Sequence, residues 1–144
     1  MEKLFAKDLS LHQAFDFGTV TLSEDDIINY AKLNDPLEFH TNKEIAEQSI
    51  FKGLVSSGTH IFSRFYTSVW VPALGHTVIC GLEINSWKFL KPIYADMPVH
   101  CKVMVKHLSR NEEKHHVVIT WNFEFFNKKK EMVQTADITV MHKL

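Results

Sequence analysis

The chain has 144 residues, 45% of them hydrophobic and 23% charged, a length and balance that allow one globular domain with a full core and no disulfide or metal staples. Its net charge is −1 and its lysines are scattered apart from Lys128-Lys129-Lys130, which speaks against a basic face and a nucleic-acid partner. Charges at Glu2, Lys3, Lys7 and Asp8 interrupt the first residues, no later stretch is long enough to span a bilayer, and a cytoplasmic address without membrane attachment is expected.

Alternation over Ala14 to Leu22 predicts a first strand. Ser23-Glu24-Asp25-Asp26 reads as a helix cap with acids in the first turn, and Ile27, Ile28, Tyr30, Ala31 and Leu33 follow on that helix. Pro36 makes the helical conformation unfavourable for Asp35, so the helix is expected to end between Lys32 and Asn34. Thr41-Asn42-Lys43-Glu44 matches a capping box that opens a short helix through Gln48. Asp35 and His40 then lie on a tight connection between two helices, a location that commonly carries function.

Ile61, Phe62, Phe65, Tyr66, Val69 and Trp70 recur at helical spacing and predict a buried central helix that ends before Pro72 and Gly75. From Thr77 onward the period becomes two. Val99, Cys101, Val103 and Val105 form one apolar row, Val117, Ile119, Trp121, Phe123 and Phe125 a second, and Ala136, Ile138 and Val140 a third. Polar turns at Ser109 to Lys114 and Asn127 to Lys130 favour antiparallel hairpins over helical crossovers. The expected fold is α+β, one domain over residues 1–144, with an antiparallel sheet wrapped around the central helix.

The chemistry concentrates between Asn34 and His60. A carboxylate and an imidazole, Asp35 and His40, can together take a proton from water and return one to a substrate. The segment Phe51-Lys52-Gly53-Leu54-Val55-Ser56-Ser57-Gly58-Thr59-His60 leads into the central helix, whose first N–H groups lack intrahelical partners and can hold a polarised oxygen. Taken alone, the pair reads more often as a surface or hydrogen-bonded structural histidine and a turn-forming Asp-Pro. Ser56 and Ser57 read first as helix caps and second as lining residues, and no local motif marks a serine hydrolase. His60 fits packing or capping; Cys80 and Cys101 fit reduced core thiols. His115 and His116 point to opposite faces of a strand, the remaining histidines, His142 among them, read as surface or edge residues, and no metal site is expected.

These residues resemble the MaoC-like acyl dehydratases, including the R-specific enoyl-CoA hydratases of the hot-dog fold. Asp35-Pro36-Leu37-Glu38-Phe39-His40 is similar to that family's Asp-Pro-x-Pro-x-His signature, and Phe51 to Gly58 to the glycine-containing start of its long central helix. Gly81-Leu82-Glu83-Ile84, Trp87-Lys88-Phe89 and Lys91-Pro92-Ile93-Tyr94-Ala95-Asp96 look like the strand and turn that follow. Glu38 stands where proline is common, placing an extra carboxylate beside the expected site, and Ala95 stands where glycine is common.

The resemblance implies that Asp35 and His40 activate a water adding across the double bond of an enoyl thioester, with dehydration as the reverse. It implies that Gly58 contacts the thioester carbonyl, with Ser56 and Ser57 lining the site. It further implies an acyl-CoA or acyl-carrier-protein substrate, no cofactor beyond the CoA of that substrate, an acyl tunnel lined by aromatic residues of the helix and strands, and a homodimer. A thioesterase on the same fold and a non-catalytic acyl-binding domain are the two rivals; free thiol release from saturated acyl-CoA would mark the first, and binding without turnover the second.

Overall fold

The computed structural model describes residues 2–144. Five antiparallel strands form one sheet in the order β1-β3-β4-β5-β2: β1 (Ala14–Val20), β2 (Val78–Phe89), β3 (Val99–Asn111), β4 (His116–Phe126) and β5 (Met132–Lys143). Between β1 and β2 lie the helices α1 (Glu24–Asn34), α2 (Glu38–Thr41), α3 (Lys43–Gln48), α4 (Gly58–Phe65) and α5 (Val71–Leu74). This is the hot-dog arrangement, a sheet wrapped around a central helix.

The three predicted apolar rows are the inner face of the sheet. Every residue of the rows on β3 and β4 is buried, as are Ala136, Ile138 and Val140 on β5. They pack on Ile61, Phe62, Phe65 and Trp70 of the central helix. That burial of aromatic and branched side chains is the main force holding helix to sheet.

The central helix runs farther than Pro72 suggests. Between α4 and α5 the chain makes a wider π turn over Tyr66–Trp70, where the Val71 N–H reaches back to the Tyr66 carbonyl. Pro72 then falls in the first turn of α5, where the π turn just upstream accommodates its missing N–H, and the axis continues to Leu74.

Other expectations are corrected in detail. The first strand stops at Val20, and its register against β3 shifts between Asp16 and Thr19, where Gly18 takes φ +78°. Ser23 does close a capping box with Asp26, but α3 is capped by Asn42, whose side chain accepts from the Ile45 N–H. Thr41 instead ends α2, its hydroxyl bonded to the Leu37 carbonyl. Cys80 is exposed on β2 and only Cys101 is a core thiol. His115 lies in the turn before β4 with φ +51°, so the two neighbouring histidines do not share a strand.

His142 is fully buried, not at the surface. Trp121 Nε1–H donates to its Nε2 at 3.1 Å, its Nδ1 lies 2.8 Å from the Thr77 hydroxyl, and that hydroxyl donates to the Leu74 carbonyl. Both ring nitrogens are thus spent inside the core, and burial pushes the imidazole pKa down to about 4. Among the described residues no helix is long and apolar enough to cross a membrane.

Candidate functional site

α1 ends where the residue before Pro36 leaves helical space: Asp35 sits at φ −162°, ψ 72°, its N–H closing the last turn on the Ala31 carbonyl at 2.8 Å. Its carboxylate is thereby turned away from α1 toward the start of α4. His40 lies not in a loop but in the single-turn helix α2, where its side chain is buried. His40 Nδ1 is 2.7 Å from the Val55 carbonyl oxygen, an acceptor only, so Nδ1 carries the proton and donates. In the neutral ring Nε2 is then left as a bare lone pair, 3.4 Å from Asp35 Oδ2.

The carbonyl that orients His40 is itself fixed. Val55 forms an isolated antiparallel bridge with Tyr94, and the Ser56 N–H donates to the Ile93 carbonyl at 2.8 Å. This short extended stretch delivers Gly58 to the first position of α4. A Cβ at Gly58 would meet the Phe89 ring at 2.7 Å, so glycine is what lets that aromatic ring close over the helix start.

Ser57 precedes α4 but does not cap it. Its hydroxyl donates to Asp35 Oδ2 at 2.7 Å, and it is itself buried. Thr59 Oγ1 stands 3.4 Å from the Ser57 hydroxyl and 2.9 Å from the Tyr30 hydroxyl, so Asp35 is backed by hydroxyl groups from two helices. His60 packs, as its position suggests: its ring stacks on Tyr30 at 4.0 Å, and burial pushes its pKa down to about 4.

Asp35, His40, Ser56, Ser57 and Gly58 all line one cavity of about 470 Å³, together with Phe51, Thr59, Phe89, Gln134 and the Leu90–Ile93 segment. A second cavity of about 440 Å³ lies farther along the helix, between Phe62 and Tyr66 on one side and Ile84, Ile138 and Val140 on the other. Glu38 is not beside the site. It is exposed in the first turn of α2, outside the cavity, where a carboxylate suits the helix dipole. Ala95 also requires nothing special, because the positive φ of its turn is taken by Asp96 at +59°. No group of three or more metal-ligating side chains occurs among the described residues.

Sequence reasoning missed Phe89, Thr59, Tyr30 and Gln134. For Gln134 a signal existed: it heads the alternating row Gln134, Ala136, Ile138, Val140 on β5, a polar residue at an inward position. The contribution of Phe89 depends on how β2 lies over α4, which no local pattern encodes.

The chain resembles known proteins along nearly its whole length. A family model described as MaoC like domain matches residues 8–124. An uncharacterized protein of Bacillus subtilis (strain 168), YdeM, is 27% identical over 140 residues, covering 94% of this chain and 96% of its own. The MaoC-like dehydratase from Rhodospirillum rubrum superposes with a TM-score of 0.83 at 24% identity, covering 97% of both chains. The R-hydratase PhaJ1 from Pseudomonas aeruginosa superposes at 0.75 and 17% identity, with 95% of this chain and 84% of that one covered. For the (R)-hydratase from A. caviae the TM-score is 0.73 at 20% identity, covering 94% and 98%. With the family matched over most of its length, and with that fold, the chain belongs to the MaoC-like dehydratase domain family.

Proposed function

We propose that the protein is an acyl-thioester hydratase/dehydratase, with Asp35 and His40 as the acid-base pair. The observation that carries this reading is His40 Nε2 standing 3.4 Å from Asp35 Oδ2 while Nδ1 is held by the Val55 carbonyl, in the cavity that the first N–H groups of α4 also border. A water in this cavity gives one hydrogen to the imidazole nitrogen and the other to the carboxylate, and its oxygen is then aimed at the substrate.

The water oxygen bonds to the β-carbon of the enoyl thioester while its proton passes to the pair. The π electrons move onto the carbonyl oxygen, giving an enolate held by the Gly58 N–H at the positive end of α4. The pair then delivers a proton to the α-carbon, so one water is added and nothing else is consumed. Dehydration runs the same steps backwards. The second cavity, apolar and farther along the helix, suits the acyl tail.

Ser57 is a positioning residue here, since its hydroxyl holds the carboxylate. A hydrogen bond to a charged group contributes about 1.5 kcal/mol, so Ser57→Ala lowers kcat roughly tenfold while Ser57→Thr keeps most of the rate. Equal rates for wild type and Ser57→Ala would remove the hydroxyl from the mechanism.

The test of the function itself is loss of the conjugated enoyl absorbance of crotonyl-CoA and longer enoyl-CoAs, with free thiol followed in parallel. Hydration without thiol release is the expected result; thiol release from saturated acyl-CoA selects a thioesterase, and binding without turnover an acyl-binding domain. CoA is proposed as the carrier, acyl-carrier protein being the alternative that shares the same pantetheine arm, and the cytosol as the address.

We also propose a homodimer. Among the described residues β2 is an edge strand paired only with β5, and it exposes Ile79, Leu82, Ile84 and Phe89, an apolar edge that invites pairing with a second copy. Light scattering coupled to gel filtration should return twice the mass of one chain for the wild type and a single-chain mass for Ile84→Lys. A monomeric wild type at micromolar concentration would end the proposal.

A further inference from the structure

The inward row of β5 is Gln134, Ala136, Ile138, Val140 and His142, all buried. Of its two polar members, His142 is bonded through both ring nitrogens to Trp121 and Thr77. Gln134 is only 2% exposed, and its Nε2 is buried with no hydrogen-bond partner among the described residues. Buried amides are ordinarily bonded, and this nitrogen is enclosed and unspent as the side chain stands, so a ligand in the cavity completes the amide only once its two ends exchange.

The position of Gln134 narrows which group that is. It lines the cavity shared by Asp35, His40 and Gly58 and is absent from the lining of the apolar cavity farther along the helix. It is the cross-strand partner of Phe89, whose ring lies against Gly58. The amide therefore stands beside the reacting end of a bound substrate and away from its tail. A thioester brings a carbonyl oxygen to the Gly58 N–H, and that oxygen has two lone pairs, one of which the helix start leaves free. A half-turn about the last side-chain bond breaks no hydrogen bond of that nitrogen, keeps the shape of the amide, and turns its NH₂ to the cavity and its oxygen inward.

We infer that Gln134 is a second hydrogen-bond donor to the thioester carbonyl, acting from the sheet while Gly58 acts from the helix, so that the enolate oxygen is held by two donors. This rests on the thioester reading above. The donor strengthens its bond as negative charge develops on the oxygen, so its effect falls on kcat more than on KM.

The test uses Gln134→Met, close in volume and without a donor, with Gln134→Leu as a second variant. The carbonyl stretch of unreactive butyryl-CoA carrying ¹³C at the thioester carbon is measured by difference infrared spectroscopy on each protein, and crotonyl-CoA hydration is measured in parallel. In the wild type the stretch is lowered relative to free butyryl-CoA. In both variants it moves back toward the free value, and kcat drops about 100-fold with a much smaller change in KM. Both variants melt at or above the wild-type temperature, because an unpartnered buried amide has been replaced by an apolar group.

An unchanged stretch overturns the inference, whether KM rises or not, and so does a large loss of stability with wild-type kcat, which would make Gln134 a structural residue. If the wild type hydrates no enoyl-CoA, the hydratase reading falls while the butyryl-CoA spectra still decide the Gln134 contact. If butyryl-CoA does not bind the wild type, both fall.

Discussion

Asp35→Asn and His40→Ala each lower kcat for enoyl-CoA hydration by about two to four orders of magnitude, with the fold retained. Asp35→Asn keeps the shape of the side chain and an oxygen that can still accept from the Ser57 hydroxyl at 2.7 Å, so the local frame survives. What disappears is the negative charge that holds the water and balances the imidazolium formed during proton transfer. His40→Ala removes the base itself and leaves the Val55 carbonyl without its imidazole donor. Because the two groups stand 3.4 Å apart and act on one water, their effects are not additive, and the double variant is little slower than the worse single one. Stopped-flow absorbance of crotonyl-CoA measures all four rates. Near-wild-type hydration by both single variants would sink the acid-base assignment.

Trp121→Ala destabilises the fold by about 3–5 kcal/mol, on the scale of large-to-small changes at buried aromatic sites. Trp121 is fully buried in the middle of β4, and its ring meets Trp70 of the central helix edge-on at 5.8 Å, so it ties sheet to helix. Its indole N–H also satisfies His142 Nε2, and truncation leaves that acceptor buried and unpartnered as well as opening a hole. The midpoint of thermal unfolding then falls by roughly 10–15 °C. Trp121→Phe refills most of the hole but not the hydrogen bond, and should fall between wild type and alanine. Urea titrations of the three proteins check the order. A change of less than about 1 kcal/mol for alanine would mean that Trp121 does not carry this contact.

Most of the architecture was legible because the physics behind it is local and repeated. Alternation on β3, β4 and β5 must put one set of side chains on one face, and that face must be covered. Pro36 had to release Asp35 from α1, whatever surrounds it. Where local patterns competed, the outcome went elsewhere: Thr41 and Asn42 both suit a cap, and Asn42 took the role because Thr41 was needed to finish the turn that holds His40. Pro72 was accommodated by a π turn placed just upstream, a solution open only to a helix already pinned by its buried face. Glu38 was displaced from the site by helix geometry, since neighbouring residues on α2 point in different directions and His40 faces the cavity.

By itself the sequence determined the strand rows, the central helix and the release of Asp35, because each follows from period or proline within a few residues. Only the tertiary structure decided that Ser57 serves Asp35 instead of capping α4, that Val55 fixes the His40 tautomer, that Phe89 closes over Gly58, and that Gln134 stands unpaired in the same cavity. Those relations join residues 15 to 99 positions apart, and which donors and acceptors meet across such distances is set by the packing of whole elements, which no short stretch of chain encodes.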